Sequence, residues 1–252
     1  MRGVPELSNN AIRNDNMHLL RVEYAVYNEA VFLSHLEMVR NFERALRRAE
    51  VPIAFSEGFN PHPKTSIAAP LPVGIGGEHE YLELELQSKM QVEEFNAKVN
   101  GVLPEGIKIL RSRYVATPAK TLMAVINAAS YLVELDAEKV NQNKLRDSIK
   151  LFLAKESVIV TRHTPKGDKS IDVRKGVYEF KTAFSVLDVE LEMLLVMGND
   201  GNIRPEEVVR AIFTGIDEDY SDAIVHIKRN GLFIYRDGQR LVPLNFGSEE
   251  LV

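Results

Sequence analysis

Cysteine is absent from all 252 residues. That excludes disulfides, thiolate zinc sites, a cysteine nucleophile and any cysteine-held iron–sulfur cluster in this chain. Histidine is scarce: six residues, at positions 18, 35, 62, 79, 163 and 226, with no pair at the i, i+4 spacing of a metal-binding helix. No metal or other cofactor is expected, and any histidine site has to be assembled by the fold. No run reaches the roughly 18 consecutive apolar residues of a membrane helix, and MRGVPELSNNAIRNDN lacks the apolar core of a signal peptide. The expectation is a soluble cytoplasmic protein without a membrane partner. Excess positive charge is lacking too: the net charge is −5, so the field of the whole molecule does not attract polyanions.

What is present is an ordinary globular mixture, 45% apolar and 27% charged, in a chain long enough for one large domain or two of usual size. The charge is unevenly spread. Ten Lys or Arg stand against five Asp or Glu from Lys144 to Lys181, and two against ten from Val186 to Asp222. A local basic face is therefore compatible with the acidic total.

Residues 1–16 are polar and aperiodic and read as a disordered tail. Ordered structure begins near Met17, where HLLRVEYAVYN alternates with the period of a half-buried strand. Ser34 with Glu37 three positions on is a capping box, and it opens an amphipathic helix whose buried stripe is expected at Leu36, Val39, Phe42, Leu46 and Ala49. VPIAF and TSIAA read as short strands flanking a proline-rich loop, followed by strand EYLELELQ, helix QVEEFNAKVNGVL and strand IKILRSRYV. After a linker at 117–120 the order repeats: strand MAVINAASYLVELD, helix NQNKLRDSIKLFLAKE, strands SVIVTRH and VYEFKTAFSVL around a basic insertion, strand DVELEMLLVMG, helix IRPEEVVRAIFTG and closing strand AIVHIKR. GLFIYRDGQRLVPL reads as a hairpin turning at Asp237-Gly238. The expected fold is α+β: two tandem ferredoxin-like (βαββαβ) units, 17–116 and 121–235, antiparallel sheets with helices on one face, and a hairpin or tail over 236–252.

Two groups of residues are candidates for chemistry. His35 stands at the mouth of the first helix, where free amides and the dipole favour an anion. In SEGFNPHPKTS, prolines stiffen a loop that offers Phe59 as a stacking surface and Asn60, His62, Lys64, Thr65 and Ser66 as polar groups, and His62 and Lys64 are expected to converge with His35 on a phosphate. An exposed rigid turn without a ligand explains the same composition. Gly74, Gly76 and Gly77 lack the spacing of a nucleotide-binding fingerprint. The second group is TRHTPKGDKSIDVRKG, where Arg162, Lys166, Lys169, Arg174 and Lys175 are the best candidates for an RNA contact. Arg40, Arg44, Arg47 and Arg48 form a ridge that a solvated helix face accounts for more simply.

The phrases SHLEMVR, ALRRA, GFNPHPK and LPVG, together with KGDKSIDVRKG later in the chain, closely resemble the radical-SAM-linked conserved domain, a bacterial family found alone or fused to cobalamin-binding-type radical SAM proteins. The resemblance runs from about Leu19 into the 230s. It implies a radical SAM protein as partner, and a chain without cysteine would then present or recognise the substrate. In architecture alone, the expected fold also resembles CRISPR repeat-processing endoribonucleases, although their C-terminal glycine-rich signature is not evident. The leading expectation is a non-catalytic recognition protein for a radical SAM enzyme, binding structured RNA or another phosphate-bearing substrate. One alternative is a metal-free ribonuclease with His35 or His62 as general base and Lys64 stabilising the phosphorane. The other is a protein-interaction module that docks on the radical SAM partner.

Overall fold

The computed structural model describes residues 17–216 and 222–246, so the tail expected over 1–16 and the last six residues lie outside the described residues. The fold is mixed α+β, built on one large, mostly antiparallel sheet.

The first half runs β1 (His18–Val26), α1 (His35–Arg48), β2 (Thr65–Ile67), β3 (Gly76–Leu86), α2 (Val92–Asn100) and β4 (Ile107–Val115). The capping box expected at Ser34 is formed: Glu37 N–H donates to Ser34 Oγ at 3.4 Å, and Ser34 N–H donates to the Glu37 carboxylate at 2.8 Å. A short α3 (Leu122–Val125) leads into the second half. There follow β5 (Ala128–Asp136), α4 (Gln142–Ala154), β6 (Ile159–Thr164), β7 (Gly167–Asp172), β8 (Val177–Phe184), β9 (Asp188–Val196), α5 (Pro205–Thr214), β10 (Ile224–Arg236) and β11 (Gln239–Leu241).

Strand order in the main sheet is β4-β1-β3-β10-β5-β9-β8, with β2 on β3 and β11 on β10. Neighbours pair antiparallel except at the joint between the halves, where Lys228 and Arg229 of β10 run parallel to Gly76 and Gly77 of β3. In each half, alternate strand residues face two helices. Leu20, Val22 and Tyr24 pack with Phe42 and Leu46 of α1 and Phe95 of α2; Val133, Leu191 and Met193 pack with Ile149 of α4 and Ile212 and Phe213 of α5.

The structure departs from the sequence reading in four places. The stripe of α1 runs through Met38, Phe42, Ala45, Leu46 and Ala49, spaced one and two helical turns apart, and leaves Leu36 exposed. Residues 51–55 make only isolated bridges, Ile53 to Leu86 and Phe55 to Pro63, because Pro52 and Pro63 lack the N–H groups a longer ladder needs. SVIVTRH does not enter the main sheet: β6 turns tightly at Gly167, which has φ 108°, and satisfies its backbone against β7 in a separate two-stranded sheet. AIVHIKR and GLFIYR form one strand, β10, because Gly231 sits in a bulge instead of ending it. The turn expected at Asp237-Gly238 is present, with φ of 51° and 76°.

The sheet face turned away from α1 and α2 is charged. Cross-strand register sets Arg113, Arg21 and Glu83 side by side, then Arg111, Glu23 and Tyr81. Arg21 is fully buried there. Its Nε donates to Glu83 at 3.0 Å, and its other nitrogens donate to the carbonyls of Lys120, Pro243 and Phe246, so one guanidinium fastens the linker and the C-terminal segment over this face.

Candidate functional site

The loop residues expected to bind a phosphate are dispersed among separate partners. His35 opens α1 and is exposed, beside a cavity of about 10 Å³ shared with Tyr24, Ile67 and Leu71, room for no more than one water. The carboxylate of Glu37 already occupies this helix mouth. Lys64 Nζ is paired with Glu85 at 2.8 Å, His62 Nε2 lies 3.3 Å from Asn60 Nδ2, and Phe59 is wholly exposed at the loop tip. Thr65 and Ser66 lie in β2 opposite Leu84 and Glu83. Among the described residues, no hydrogen bond or ion pair joins His35 to His62 or Lys64.

The basic group divides in two. Arg162 is committed to Glu207, with Nε to Oε1 at 2.6 Å and Nη2 to Oε2 at 2.5 Å, and also donates to the Asn202 carbonyl. Arg174 is spent on the carbonyls of Leu153 and Val177. Lys175 lies 3.6 Å from Asp172. The ammonium groups of Lys166 and Lys169 are exposed and have no partner among the described residues. Between this hairpin and α5 lies an open groove of about 450 Å³, with Ile159, Val160 and Ala211 as an aliphatic floor and Lys155, His163 and Arg210 at its sides.

A third arrangement, absent from the sequence reading, lies on the charged face of the first half. Glu23 of β1 stands directly opposite Tyr81 of β3 on one side and Arg111 of β4 on the other, with His79 two residues before Tyr81 on the same face. The Glu23 side chain is 1% exposed, whereas His79 and Arg111 are 49% and 58% exposed. Glu23 Oε1 accepts from His79 Nδ1 at 2.8 Å and from the Tyr81 hydroxyl at 3.0 Å, and Oε2 accepts from Arg111 Nε at 2.5 Å. Burial pushes the Glu23 carboxyl up; the hydrogen bond and charge of Arg111, with the bonds from His79 and Tyr81, outweigh it and hold the group below the usual carboxylate range. An ionised Glu23 requires the proton on His79 Nδ1, which turns Nε2 outward. Gly231 of β10 adjoins this ring: a Cβ there would lie 3.4 Å from His79 Cβ and 3.3 Å from the Phe233 ring. The only trace in the sequence is Glu23 itself, a carboxylate inside an alternating strand, and alternation alone reads it as facing solvent.

Among the described residues no group of three or more His, Asp or Glu side chains is placed to hold a metal ion, and no helix is long and apolar enough to cross a membrane.

No curated protein matches the sequence. Among solved structures, the chain is similar to one in a Cbf5-Nop10-Gar1 complex, at 12% identity and TM-score 0.47, over 82% of this chain and 47% of that one. It is similar to a chain of the archaeal box H/ACA sRNP Nop10-Cbf5 complex at 12% identity and TM-score 0.41, over 82% and 46%. It thus spans less than half the length of either. An unknown protein from Galdieria sulphuraria is similar at 13% identity and TM-score 0.26, over 85% and 98%. The profile of a family described as an uncharacterized protein conserved in bacteria (DUF2344) matches residues 19–205, most of the chain, and the protein belongs to that family.

Proposed function

We propose that this protein is a cytoplasmic recognition protein of two ferredoxin-like units, 17–116 and 121–235, that binds structured RNA on behalf of a radical SAM partner. The strand orders β4-β1-β3-β2 and β10-β5-β9-β8, each with a helix after its first and its third strand, support the two-unit reading. The partner is supported by the resemblance carried by SHLEMVR and GFNPHPK, and by a chain that supplies no cysteine for a cluster.

The observation that carries the RNA reading is the β6–β7 hairpin. It stands outside the main sheet with Lys166 and Lys169 open to solvent, above a groove flanked by Lys155 and Arg210. Cations on such a finger contact the phosphate backbone, and an aliphatic floor accepts a base or sugar face. The test is fluorescence anisotropy with labelled bulk transfer RNA over a salt series. Affinity is expected to fall as salt rises, and each of Lys166→Ala and Lys169→Ala to reduce the log–log slope by about one. Affinity independent of salt, or unchanged in the double variant, overturns the reading.

One observation favours a second reading, a docking module for the partner protein. Phe59 projects fully exposed from a proline-stiffened tip. Phe59→Ala abolishing capture of the radical SAM partner after nuclease treatment is the outcome this reading requires.

A further inference from the structure

Among the described residues, three buried carboxylates on the main sheet are paired with arginines, and they differ in how the guanidinium is used. Arg229 donates Nε and Nη2 to Glu80 and its remaining donors to the carbonyls of Ala69 and Pro70. Arg21 is spent in the same way on Glu83 and three carbonyls. In both pairs neither side chain is more than 7% exposed. Arg111 is the exception. Only its Nε is engaged, and both Nη groups are without a partner among the described residues.

The third pair is also the one with a histidine. Glu23 accepts from His79 Nδ1 on one oxygen and from Arg111 Nε on the other, so one buried carboxylate fixes the imidazole and the guanidinium side by side at the surface. Each presents its outer edge: the Nη fork of Arg111, and Nε2 of His79. A guanidinium fork matches two oxygens of a tetrahedral oxyanion, and Nε2 accepts a proton from a ligand hydroxyl or, in the imidazolium, donates one to a ligand oxygen. Gly231 leaves the neighbouring strand without a side chain against the imidazole. The next row of the face adds no free anion, since Glu83 is bound to Arg21 and to the Leu122 N–H, and Arg113 faces Asn245.

We infer that Glu23, His79 and Arg111 form an oxyanion site for the phosphoryl group of a small phosphate ester, with Arg111 and His79 as the contacting residues and Glu23 as the positioning residue. It lies on the first half of the sheet and shares no residue with the basic hairpin.

The test is a titration of the full chain, labelled at its histidine and arginine side-chain nitrogens, with inorganic phosphate, with adenosine 5′-monophosphate and with acetate as a control. The His79 ring and Arg111 Nη resonances are expected to move saturably with phosphate and with the monophosphate but not with acetate. Arg111→Gln is expected to weaken phosphate binding about tenfold, the loss of one charge-assisted hydrogen bond. His79→Asn keeps a donor for Glu23 but removes Nε2, and is expected to weaken binding about threefold or more without lowering the melting temperature. Lys166→Ala with Lys169→Ala is expected to leave phosphate affinity unchanged, which separates this site from RNA binding by the hairpin. Resonances unmoved by phosphate and by the monophosphate, or full affinity in Arg111→Gln, overturn the inference.

Discussion

The Arg229–Glu80 pair and the Glu23 cluster use the same chemistry on the same sheet to opposite ends. At the joint between the halves, both side chains are dry and every nitrogen of Arg229 has an acceptor, including the carbonyls of Ala69 and Pro70 at the end of the proline-rich stretch. Burial opposes the charge of Arg229, but Glu80 beside it more than compensates and raises its pKa. At the Glu23 cluster the carboxylate is equally buried, yet its two outer partners, His79 and Arg111, stand half in water, and the Nη groups of Arg111 are without a partner among the described residues. The guanidinium of Arg229 is fully engaged in the joint, whereas that of Arg111 is engaged only through Nε.

The comparison is broken most severely at the joint. Arg229→Met leaves Glu80 charged, buried and alone, and is expected to cost about 3–5 kcal/mol, read as the shift in urea midpoint. Arg229→Met combined with Glu80→Leu is expected to recover most of that loss, since the uncompensated charge is then gone. An intermediate effect is expected from pH. Glu23, Glu207 and Glu179 are all held below the usual carboxylate range. Each therefore contributes stability that is present above its unfolded pKa and lost as pH falls through its lower folded value. Urea midpoints should drop as the solution is acidified through about pH 4 and below, and Glu23→Gln should make that drop shallower. Arg111→Gln, at the open cluster, is expected to cost about 1–3 kcal/mol, less than the Arg229 variant, because Gln keeps a donor for Glu23 and the bonds from His79 and Tyr81 remain. Smallest of all is Lys166→Ala with Lys169→Ala, within about 0.5 kcal/mol of wild type by the same urea titration. An Arg111 variant as unstable as the Arg229 variant would erase the distinction between the two regions.

What was legible in the sequence was what neighbouring residues decide. Ser34 with Glu37 fixes the start of α1, alternation in HLLRVEYAV fixes β1, and Asp237-Gly238 fixes the β10–β11 turn. What was not legible depends on pairing across long separations. Arg229 meets Glu80 from 149 residues away, and Glu23 meets His79 and Arg111 from 56 and 88. Register decides which face a glutamate occupies and what stands beside it, and no local pattern encodes that. The same limit explains β6, whose alternation is that of any strand but whose partner turned out to be the segment immediately following it. The proline loop hides its pairing for a different reason. Its polar groups are real and exposed, but Lys64 had an acceptor in Glu85, 21 residues on, that composition does not reveal.

The parallel contact between Gly76-Gly77 and Lys228-Arg229 bears on the order in which the chain is made. A ribosome releases Glu80 long before it polymerises Arg229, so one interior carboxylate of the early strands waits for its counter-charge. Protein truncated before residue 229 therefore lacks the guanidinium that holds Glu80, and the seam closes only once β10 has been synthesised and has come to lie beside β3.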